Sequence, residues 1–458
     1  MRTDRSALVR SLLSLIKRTG IFCTVVFVIF LALSPLGSPS ASPVADSSTT
    51  VTTQLTASQP SPPLASEIRG VWITNVASSV LFAPWGIARA VEQLADMRFN
   101  TVYPVVWNRG QTFYHSGSIS KITQREISPL MGLMHPKEDP LAEMVRRGHQ
   151  KGLRVIPWFE YGFMVPLQSR LAKAHPDWLT TRQNGTLRLR EDTFANELTS
   201  ELTSELIGET TEPESAVAKT KGVNRLLKSG APTELGWLNP LHPSVQTLIL
   251  DLVEEVVSEY DVDGIQFDDH FSLPMEFGYD AFTVALYEKE HEGRLPPLNP
   301  ADEDWVRWRA GKLSNFVRIL HERVKEKCPS CVFSLSPNPA SYAYQYYLQD
   351  WRTWVEKDWL DELVVQVYRD DLDQFAAELA KNTLQSASDR IPVSIGILTG
   401  TWGRPIAFEQ IRQQVISSRD HHFSGVSFFY WDTLWSYFTP EPPQQRRRNF
   451  RELLQEAS

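Results

Sequence analysis

Two adjacent carboxylates, Asp268 and Asp269, close a short apolar run that begins at Gly264. Alternation along this run puts Ile265 and Phe267 on one face of a strand and Asp268 on the other. A carboxylate on an inward strand face is costly unless it is paired or used. We therefore expect this strand end to carry chemistry, although Asp-Asp pairs also serve as N-caps and in salt-bridged turns.

A third carboxylate, Glu160, ends the apolar stretch RVIPWFE. Neighbouring parallel strands lie roughly 5 Å apart, so Glu160 and Asp268 can approach each other if their strands are adjacent. Hydrolysis of a glycosidic bond needs one carboxylic acid that protonates the leaving oxygen, and a second carboxylate that acts as nucleophile or as base for water. Glu160 is the predicted acid, because Trp158 and Phe159 can desolvate it and raise its pKa. Asp268 is the predicted principal carboxylate, and Asp269 is the supporting or alternative acid.

Two other kinds of catalysis have weaker support. His242 and His270 could join the aspartates in a metal site, but no HxH pair or HExxH helix completes a ligand set. Ser336 lacks the GxSxG motif of serine hydrolases and a matching histidine. We therefore predict neither a metal nor another cofactor, and we expect these three side chains to contact substrate or to form structural hydrogen bonds. A metal-dependent polysaccharide deacetylase stays open as an alternative.

Short apolar stretches alternate with amphipathic ones along the chain. The predicted strands are residues 69–76, 101–107, 154–161, 264–269, 332–338, 362–368, 391–398 and 425–431. The predicted helices are residues 87–97, 140–151, 244–260, 305–327, 371–381 and 409–418. Parallel neighbours need crossover connections, so this alternation predicts an α/β fold, a (β/α)8 TIM barrel with loop insertions. A doubly wound sheet would normally carry a glycine-rich phosphate turn after an early strand, and the sequence has none.

The inward positions near the predicted strand ends form a polar and aromatic ring, which includes Thr74 and Glu160. A barrel interior is ordinarily filled by branched apolar side chains, so this ring is the strongest sign of a site. A misassigned register on any strand would turn its side chains to the other face. The candidate substrate-binding residues are Trp72, Asn75, Trp107, Asn108, Trp158, Tyr161, Trp237, His242, Gln266, His270, Ser336, Asn338, Gln366, Tyr368, Arg369 and Trp431.

Composition sets three segments apart from the barrel. Residues 1–41 carry basic residues, then an uncharged apolar run and small residues, which is the order of a secretory signal peptide; an uncleaved anchor is the alternative. Residues 42–66 form a Ser/Thr/Pro linker that we expect to be disordered. Residues 67–458 form the barrel, with an acidic insertion at about 190–221. We therefore expect an exported protein of the periplasm or cell envelope.

The net charge and the cysteines indicate which binding partners and which covalent links to expect. A formal net charge of −8 over 458 residues argues against a nucleic-acid partner. We expect a polysaccharide or oligosaccharide substrate, and membrane contact only through the N-terminal signal or anchor. Cys328 and Cys331 cannot complete a four-ligand zinc site, and in an oxidising compartment we expect them to form a local disulfide.

Over about residues 67–435 the chain resembles the glycosyl-hydrolase-like family 10 barrels, in the form typical of cyanobacteria. The motifs that carry the resemblance are RGVWITN, VYPVVWNRG, IPWFEYGFM, DGIQFDDHF, SLSPNP, VVQVYRDD and GVSFFYWDTLW. The resemblance implies a TIM-barrel glycosidase of bacterial envelopes, and some members are associated with peptidoglycan glycan strands. By this resemblance Asp268 and Asp269 match the family's Asp pair, whereas Glu160 falls in a more variable motif and the acidic insertion near Glu197 departs from the family.

These observations together predict an exported glycoside hydrolase that cleaves an envelope glycan by paired-carboxylate chemistry. Peptidoglycan glycan strands are the first candidate substrate. A catalytically silent glycan-binding barrel shares the same aromatic wall and is the alternative from a different functional class.

Overall fold

The computed structural model describes residues 67–455 apart from residues 77, 137, 189–233, 402–403 and 436–438. In these residues a ring of parallel strands closes on itself. Its strands are β1 (Ile68–Ile73), β2 (Thr101–Asn108), β3 (Arg154–Val155 and Trp158–Phe159), β4 (Gly264–Asp268), β5 (Val332–Ser336), β6 (Glu362–Gln366), β7 (Val393–Leu398) and β8 (Gly425–Phe429). The predicted (β/α)8 barrel is confirmed.

Closure of the barrel is visible at Gly70 in β1, which pairs with Thr101 on one side and with Ser427 on the other. Every neighbouring pair of barrel strands is parallel. Their carboxyl ends therefore meet at one rim, which is where active sites of this fold lie.

Strand β3 is interrupted at Ile156 and Pro157. Proline has no amide hydrogen, so Pro157 cannot donate to the ladder. The neighbouring strands still bond across the gap, since Ile156 N donates to Val102 O at 3.0 Å and Gln266 N donates to Pro157 O at 2.8 Å. The ladder resumes at Trp158, so the end of β3 keeps its position beside β4.

Helices follow each strand on the outside of the ring. The outer helices are α1 (Pro84–Asp96), α2 (Pro140–Gln150), α3 (Pro243–Glu259), α4 (Glu303–Lys327), α5 (Trp351–Glu356), α6 (Leu372–Leu379), α7 (Phe408–Asp420) and α8 (Pro443–Gln455). In α3 the buried residues Val245, Leu248 and Leu252 recur at helical spacing and form its core-facing stripe. Asp139 begins α2 and accepts hydrogen bonds from the amides of Leu141 and Ala142, which caps that helix.

Shorter elements fill the loops between the barrel strands and the outer helices. The short helices are Gly117–Thr123, Pro129–Met134, Arg170–Ala174, Pro176–Trp178, Ala281–Glu290, Ala340–Tyr347, Asn382–Ser388 and Trp431–Leu434. Small antiparallel pairs are formed by Gln111–Thr112 with the end of β2, by Met164–Pro166 with Leu235–Trp237, and by Gly400–Thr401 with Arg404–Pro405. These are the loop insertions that the sequence predicts, but it did not predict their structure.

A buried ion pair lies inside the barrel. Glu362 at the start of β6 accepts hydrogen bonds from Arg154 Nη2 at 3.1 Å, Ser334 Oγ at 2.9 Å and Tyr103 Oη at 3.2 Å. The Glu362 side chain is fully buried, and burial of a charge is tolerated only when such partners surround it.

A line of hydrogen bonds continues from this ion pair toward the rim. Ser334 Oγ accepts from Gln266 Nε2 at 2.9 Å, and Gln266 Oε1 accepts from Trp72 Nε1 at 2.6 Å. All three residues are buried. The inward layers of this barrel are therefore polar below the rim as well as at it.

Several predicted segments lie outside the described residues, namely the signal peptide or anchor (residues 1–41), the linker (42–66) and the acidic insertion (about 190–221). Among the helices that the structure does describe, none has both the length and the apolar character that a membrane span requires. Cys328 follows α4 and forms the expected disulfide with Cys331, which precedes β5.

Candidate active site

Glu160 lies at the carboxyl end of β3 and is 5% exposed. Thr74, directly after β1, directs its hydroxyl at both carboxyl oxygens, 3.1 Å from Oε1 and 2.9 Å from Oε2. Asn108 ends β2, and its Nδ2 lies 2.8 Å from Glu160 Oε2 and 2.8 Å from Asn75 Oδ1. Donors from two neighbouring strands therefore fix the orientation of this carboxyl group.

Burial raises the pKa of Glu160 to about 7, because removal from water disfavours the charged form. The hydrogen bond from Thr74 lowers this pKa, the negative charge of Asp268 raises it, and Asn108 and His270 lower it. Glu160 therefore keeps its proton in a large fraction of molecules near neutral pH, which is the state that a general acid needs.

Asp268 ends β4, beside Glu160. The ladder between β3 and β4 pairs Phe159 with Phe267, so the next residues on the two strands, Glu160 and Asp268, are neighbours. Asp268 Oδ2 accepts a hydrogen bond from Trp158 Nε1 at 3.2 Å. The buried Asp268 is thus held as an acceptor next to the predicted proton donor.

His270 contacts both aspartates. Its backbone amide donates to Asp268 Oδ1 at 2.9 Å, and its ring Nδ1 lies 3.3 Å from Asp268 Oδ1 and 3.5 Å from Asp269 Oδ1. The imidazole also stacks on Tyr161, with ring centroids 4.9 Å apart and planes 18° from parallel. His270 therefore links the two aspartates to the loop that follows Glu160.

Asp269 is held by amides from the next two strands of the ring, because Asn338 follows β5 and Gln366 ends β6. Its Oδ2 accepts from Asn338 Nδ2 at 3.0 Å, and its Oδ1 accepts from Gln366 Nε2 at 3.1 Å. Burial raises the pKa of Asp269; the charge of His270 opposes this shift, and that of Asp268 adds to it. Asp269 is thus a fixed carboxyl group with both oxygens already in hydrogen bonds.

The turn after Glu160 has an unusual backbone. Tyr161 has φ of 62° and Gly162 has φ of 38°, both in the left-handed region. Gly162 O accepts from Trp107 Nε1 at 2.8 Å, and a Cβ on Gly162 would lie 2.4 Å from His270 O. Glycine is needed here because the chain packs directly against the backbone of the β4 loop.

Arg109 covers the outer side of this turn. Its guanidinium lies 4.9 Å from the centroid of the Tyr161 ring, and its Nη2 is 3.3 Å from the Tyr161 hydroxyl. Burial, and next the charge of Glu160, raise the pKa of Tyr161 to about 12, so this phenol stays protonated at neutral pH. The site thus combines three carboxyl groups, one imidazole, one phenol and one guanidinium at the barrel rim.

The chain matches a known protein family. A model of the family described as glycosyl hydrolase-like 10 matches residues 67–201 and 199–417, most of the chain. The chain belongs to the glycosyl hydrolase-like 10 family. The family resemblance seen in the motifs is therefore confirmed, and the cyanobacterial form stays a prediction.

The chain is also similar to curated proteins, at low sequence identity. The chain is 25% identical over 390 residues to glycosyl hydrolase DigH of Escherichia coli strain K12, across 77% of this chain and 75% of DigH. It is 20% identical over 337 residues to glycosyl hydrolase YngK of Bacillus subtilis strain 168, across 66% of this chain and 54% of YngK.

Solved structures show the same fold. The glycoside hydrolase domain of PgaB (BpsB) from Bordetella bronchiseptica superposes with a TM-score of 0.56 at 14% identity, covering 85% of this chain and 98% of that domain. At this identity the likeness concerns the barrel architecture, which the glycosyl hydrolase-like 10 chain shares with established glycosidase domains.

The structure divides the predicted site residues of this family member into three groups. Those in hydrogen-bond or ring contact with the carboxyl groups, or with a side chain that binds them, are Asn75, Asn108, Trp158, Tyr161, Trp237, His270, Asn338 and Gln366. Those buried among other side chains are Trp72, Trp107, Gln266, Ser336 and Trp431. Those in other surroundings are His242, Tyr368 and Arg369.

The residues of the last group contact other parts of the barrel. His242 caps α3, since its Nδ1 accepts from Ser244 N at 3.2 Å. Arg369 Nη2 lies 3.7 Å from Glu378 in α6. Tyr368 packs its ring against Phe429 at 5.9 Å.

Sequence analysis missed two contributors to the site. Gln349 precedes α5, and its Nε2 donates to the carbonyls of Asp268 at 3.0 Å and Phe271 at 3.1 Å, which holds the β4 loop. No local pattern marks Gln349, because it reaches the loop from a distant part of the chain. Arg109 does fall in the motif VYPVVWNRG, and its place directly after a rim residue was the available signal.

Asp268, Asp269 and His270 also offer one ligand atom each within 4.8 Å of one another. Carboxylate and imidazole are ligands that zinc and related metals accept. The same atoms are used in hydrogen bonds to one another and to Trp158, Asn338 and Gln366. The group can therefore serve either as hydrogen-bonded acids or as a partial metal site.

Proposed function

We propose that the chain is an exported glycoside hydrolase that cleaves a glycan of the bacterial envelope. The observation that carries the proposal is the adjacency of Glu160 and Asp268 at the ends of β3 and β4. Glu160 is held partly protonated near neutral pH, and Asp268 is held as an acceptor beside it. These are the two groups that hydrolysis of a glycosidic bond requires.

In the proposed reaction Glu160 donates its proton to the glycosidic oxygen as the bond from that oxygen to the anomeric carbon breaks. Asp268 supplies the second function, either by attacking the anomeric carbon or by taking a proton from the water that attacks it. Asp269 is fixed by Asn338 and Gln366 and orients His270 toward Asp268. Thr74 and Asn108 keep the Glu160 carboxyl group aimed at the rim.

The proposed substrate and compartment are supported by features of the sequence. Residues 1–41 have the order of an export signal, which favours an extracytoplasmic polymer. The rim has partly exposed phenol and amide groups, on Tyr161, Asn75, Asn338 and Gln366, which can bind sugar hydroxyls. Peptide-stripped peptidoglycan strands are the first candidate substrate, because the motifs resemble those of envelope glycosidases.

The test compares the purified wild type with Asp268→Asn on peptidoglycan strands and on simple polysaccharides, with new reducing ends followed by mass spectrometry. We expect new ends from the wild type and at least a roughly hundredfold lower rate from the variant. Asp304→Asn is the matched control, since the Asp304 side chain is 82% exposed. An Asp268→Asn protein with wild-type activity would exclude the assigned role.

A silent glycan-binding barrel predicts a different outcome of the same experiment. It would bind the strands without releasing new ends, and the Asp268→Asn variant would bind as well as the wild type. Wild-type binding with no products from any of the polymers would favour this function over hydrolysis.

A metal-dependent deacetylase is the second candidate, favoured by the proximity of Asp268, Asp269 and His270. It predicts release of acetate from an acetylated glycan, loss of that release with a chelator and recovery with zinc. The glycosidase proposal predicts chain cleavage that the chelator leaves unchanged.

A further inference from the structure

An open pocket of about 180 Å³ lies between the loops that follow β2 and β3. Its polar lining includes Arg125, Ser128, Ser169 and Arg170, and its apolar lining includes Ile127. Two guanidinium groups therefore border one pocket in a protein whose net charge is −8.

Neither guanidinium is neutralised by a nearby acid in the part of the chain that the structure describes. No carboxylate oxygen lies within 4.0 Å of Arg125 or Arg170 there, whereas many other arginines of the protein have such a partner. Arg170 Nη1 donates to the carbonyl of Thr123 at 2.9 Å, which ties this side chain to another residue of the pocket lining. Ser169 Oγ accepts from Ala172 N, so its hydroxyl hydrogen is available for a ligand.

Glu126, the acidic residue next to Arg125 in the sequence, does not neutralise that arginine. The Glu126 carboxylate lies 3.4 Å from His115 Nδ1, and its side chain is 64% exposed. The Glu126 carbonyl accepts from Thr112 Oγ1 at 2.9 Å, which ties the backbone to the pocket wall. Glu126 therefore does not compensate the positive charge that Arg125 brings to the pocket.

A short hairpin connects the lining of this pocket to the candidate active site. The short strand Gln111–Thr112 pairs back on β2, with Gln111 opposite Asn108 and Thr112 opposite Trp107. Asn108 donates to Glu160, so the pocket begins one hairpin away from the predicted proton donor. Gly110 makes this hairpin turn with φ of 74°, and it packs against Val165 and Leu171 of the β3 loop.

We propose that this pocket is a subsite for an acidic sugar, in which Arg125 and Arg170 bind the carboxylate of a glycan whose scissile bond lies between Glu160 and Asp268. Guanidinium groups bind carboxylates through charge-assisted hydrogen bonds, and two of them around one pocket favour a charged over a neutral sugar. The inference rests on the proposed function, because it assigns a substrate class to the same rim. A glycan with carboxyl groups at regular intervals is the expected ligand.

The experiment measures binding by calorimetry in the full mature chain with Asp268→Asn, so that hydrolysis does not consume the probe. The acidic probe is peptide-stripped peptidoglycan strands, and the neutral probe is the same strands after chemical reduction of their carboxyl groups to alcohols. The pocket variant carries Arg125→Gln and Arg170→Gln. The matched control is Arg89→Gln, an exposed arginine of α1.

We expect the acidic strands to bind at least about tenfold more tightly than the reduced ones, and the pocket variant to lose that difference. Arg89→Gln should keep it. Three results would overturn the subsite. They are equal affinity for the two probes, an unchanged preference for the acidic strands in the pocket variant, and no binding of either probe. A different result would separate the two proposals. If the acidic strands bind more tightly and the pocket variant loses this preference, but the wild type hydrolyses no glycan, the glycosidase proposal is overturned and the subsite stays supported.

Discussion

Thr74 and Glu160 meet across the β1–β3 side of the rim, and one hydroxyl contacts both carboxyl oxygens at 3.1 and 2.9 Å. Asn108 adds a third contact from β2, at 2.8 Å. The predicted proton donor is therefore oriented by the two strands that precede its own. Its raised pKa and its fixed orientation are separate properties, and they can be tested separately.

The first prediction concerns Glu160 as the acid. Glu160→Gln should lower the rate on natural glycan by roughly 10² to 10⁴, because proton donation to the leaving oxygen is lost. An aryl glycoside with a good leaving group needs less protonation, so the loss on that substrate should be much smaller. Steady-state rates on both substrates measure the difference, and Glu409→Gln is the exposed control. An equal loss on the two substrates would argue against the acid role.

The second prediction concerns Thr74 as a positioning residue. The Thr74 hydrogen bond lowers the pKa of Glu160, so Thr74→Val should raise this pKa above about 7. Because the protonated acid is the active form, the alkaline limb of the kcat profile should move to higher pH while the maximal rate falls. Thr383→Val, in the helix Asn382–Ser388, is the control. A limb that moves to lower pH would contradict the assignment.

The third prediction links Glu160 to stability. Its pKa is about 7 in the folded protein against 4.5 as the reference for the unfolded chain. The folded state therefore binds more protons between these values, and the free energy of unfolding should fall as the pH rises through this window. Deprotonation of a buried acid across such a window costs up to about 3 kcal/mol. Urea unfolding at pH 4.5 and pH 8 should show this loss in the wild type and a smaller one in Glu160→Gln.

The fourth prediction concerns the ion pair below the site. Arg154→Met leaves the Glu362 charge buried without its guanidinium partner and should cost about 3–5 kcal/mol of the free energy of unfolding. Adding Glu362→Gln removes the stranded charge and should restore a large part of that loss. Arg318→Gln breaks an exposed pair with Glu322 and should change stability by no more than about 1 kcal/mol. Urea midpoints of the four proteins settle the comparison.

The fifth prediction concerns the turn after Glu160. Gly162→Ala puts a Cβ against His270 O and should displace the β4 loop, with loss of both activity and stability. Gly293→Ala has a similar positive φ, of 80°, but its Cβ meets nothing within 4 Å. The control should therefore lose roughly 1 kcal/mol through backbone strain and keep its activity. Similar activity in the two variants would show that close packing at Gly162 is unimportant.

The strands were predictable because a parallel barrel needs buried segments at regular intervals, and stretches such as GIQFDD and GVSFFYW have few other interpretations. The same alternation predicted which carboxyl groups reach the rim. Helix Ala340–Tyr347 was missed, since tyrosines occupy much of it and blur the apolar stripe that marks an amphipathic helix.

The partners of the acids were harder to predict from sequence. Gln349 reaches Asp268 across 81 residues, and Arg154 reaches Glu362 across 208. Such contacts depend on which strands become neighbours in the barrel. A local sequence pattern carries no information about that arrangement. Trp72 and Gln266 were among the candidate substrate-binding residues. In the structure they form a hydrogen bond to each other in the barrel interior, one layer below the rim.

The two anchors of Asp269 come from β5 and β6, 69 and 97 residues after the aspartate itself. A chain leaves the ribosome from its amino terminus, so all three acids emerge before the amides that will hold the last of them. A nascent chain that ends just after β4, at Asp269, carries every carboxyl group of the site but cannot fix Asp269. The proposed site is therefore completed late in synthesis, when the second half of the ring has been made.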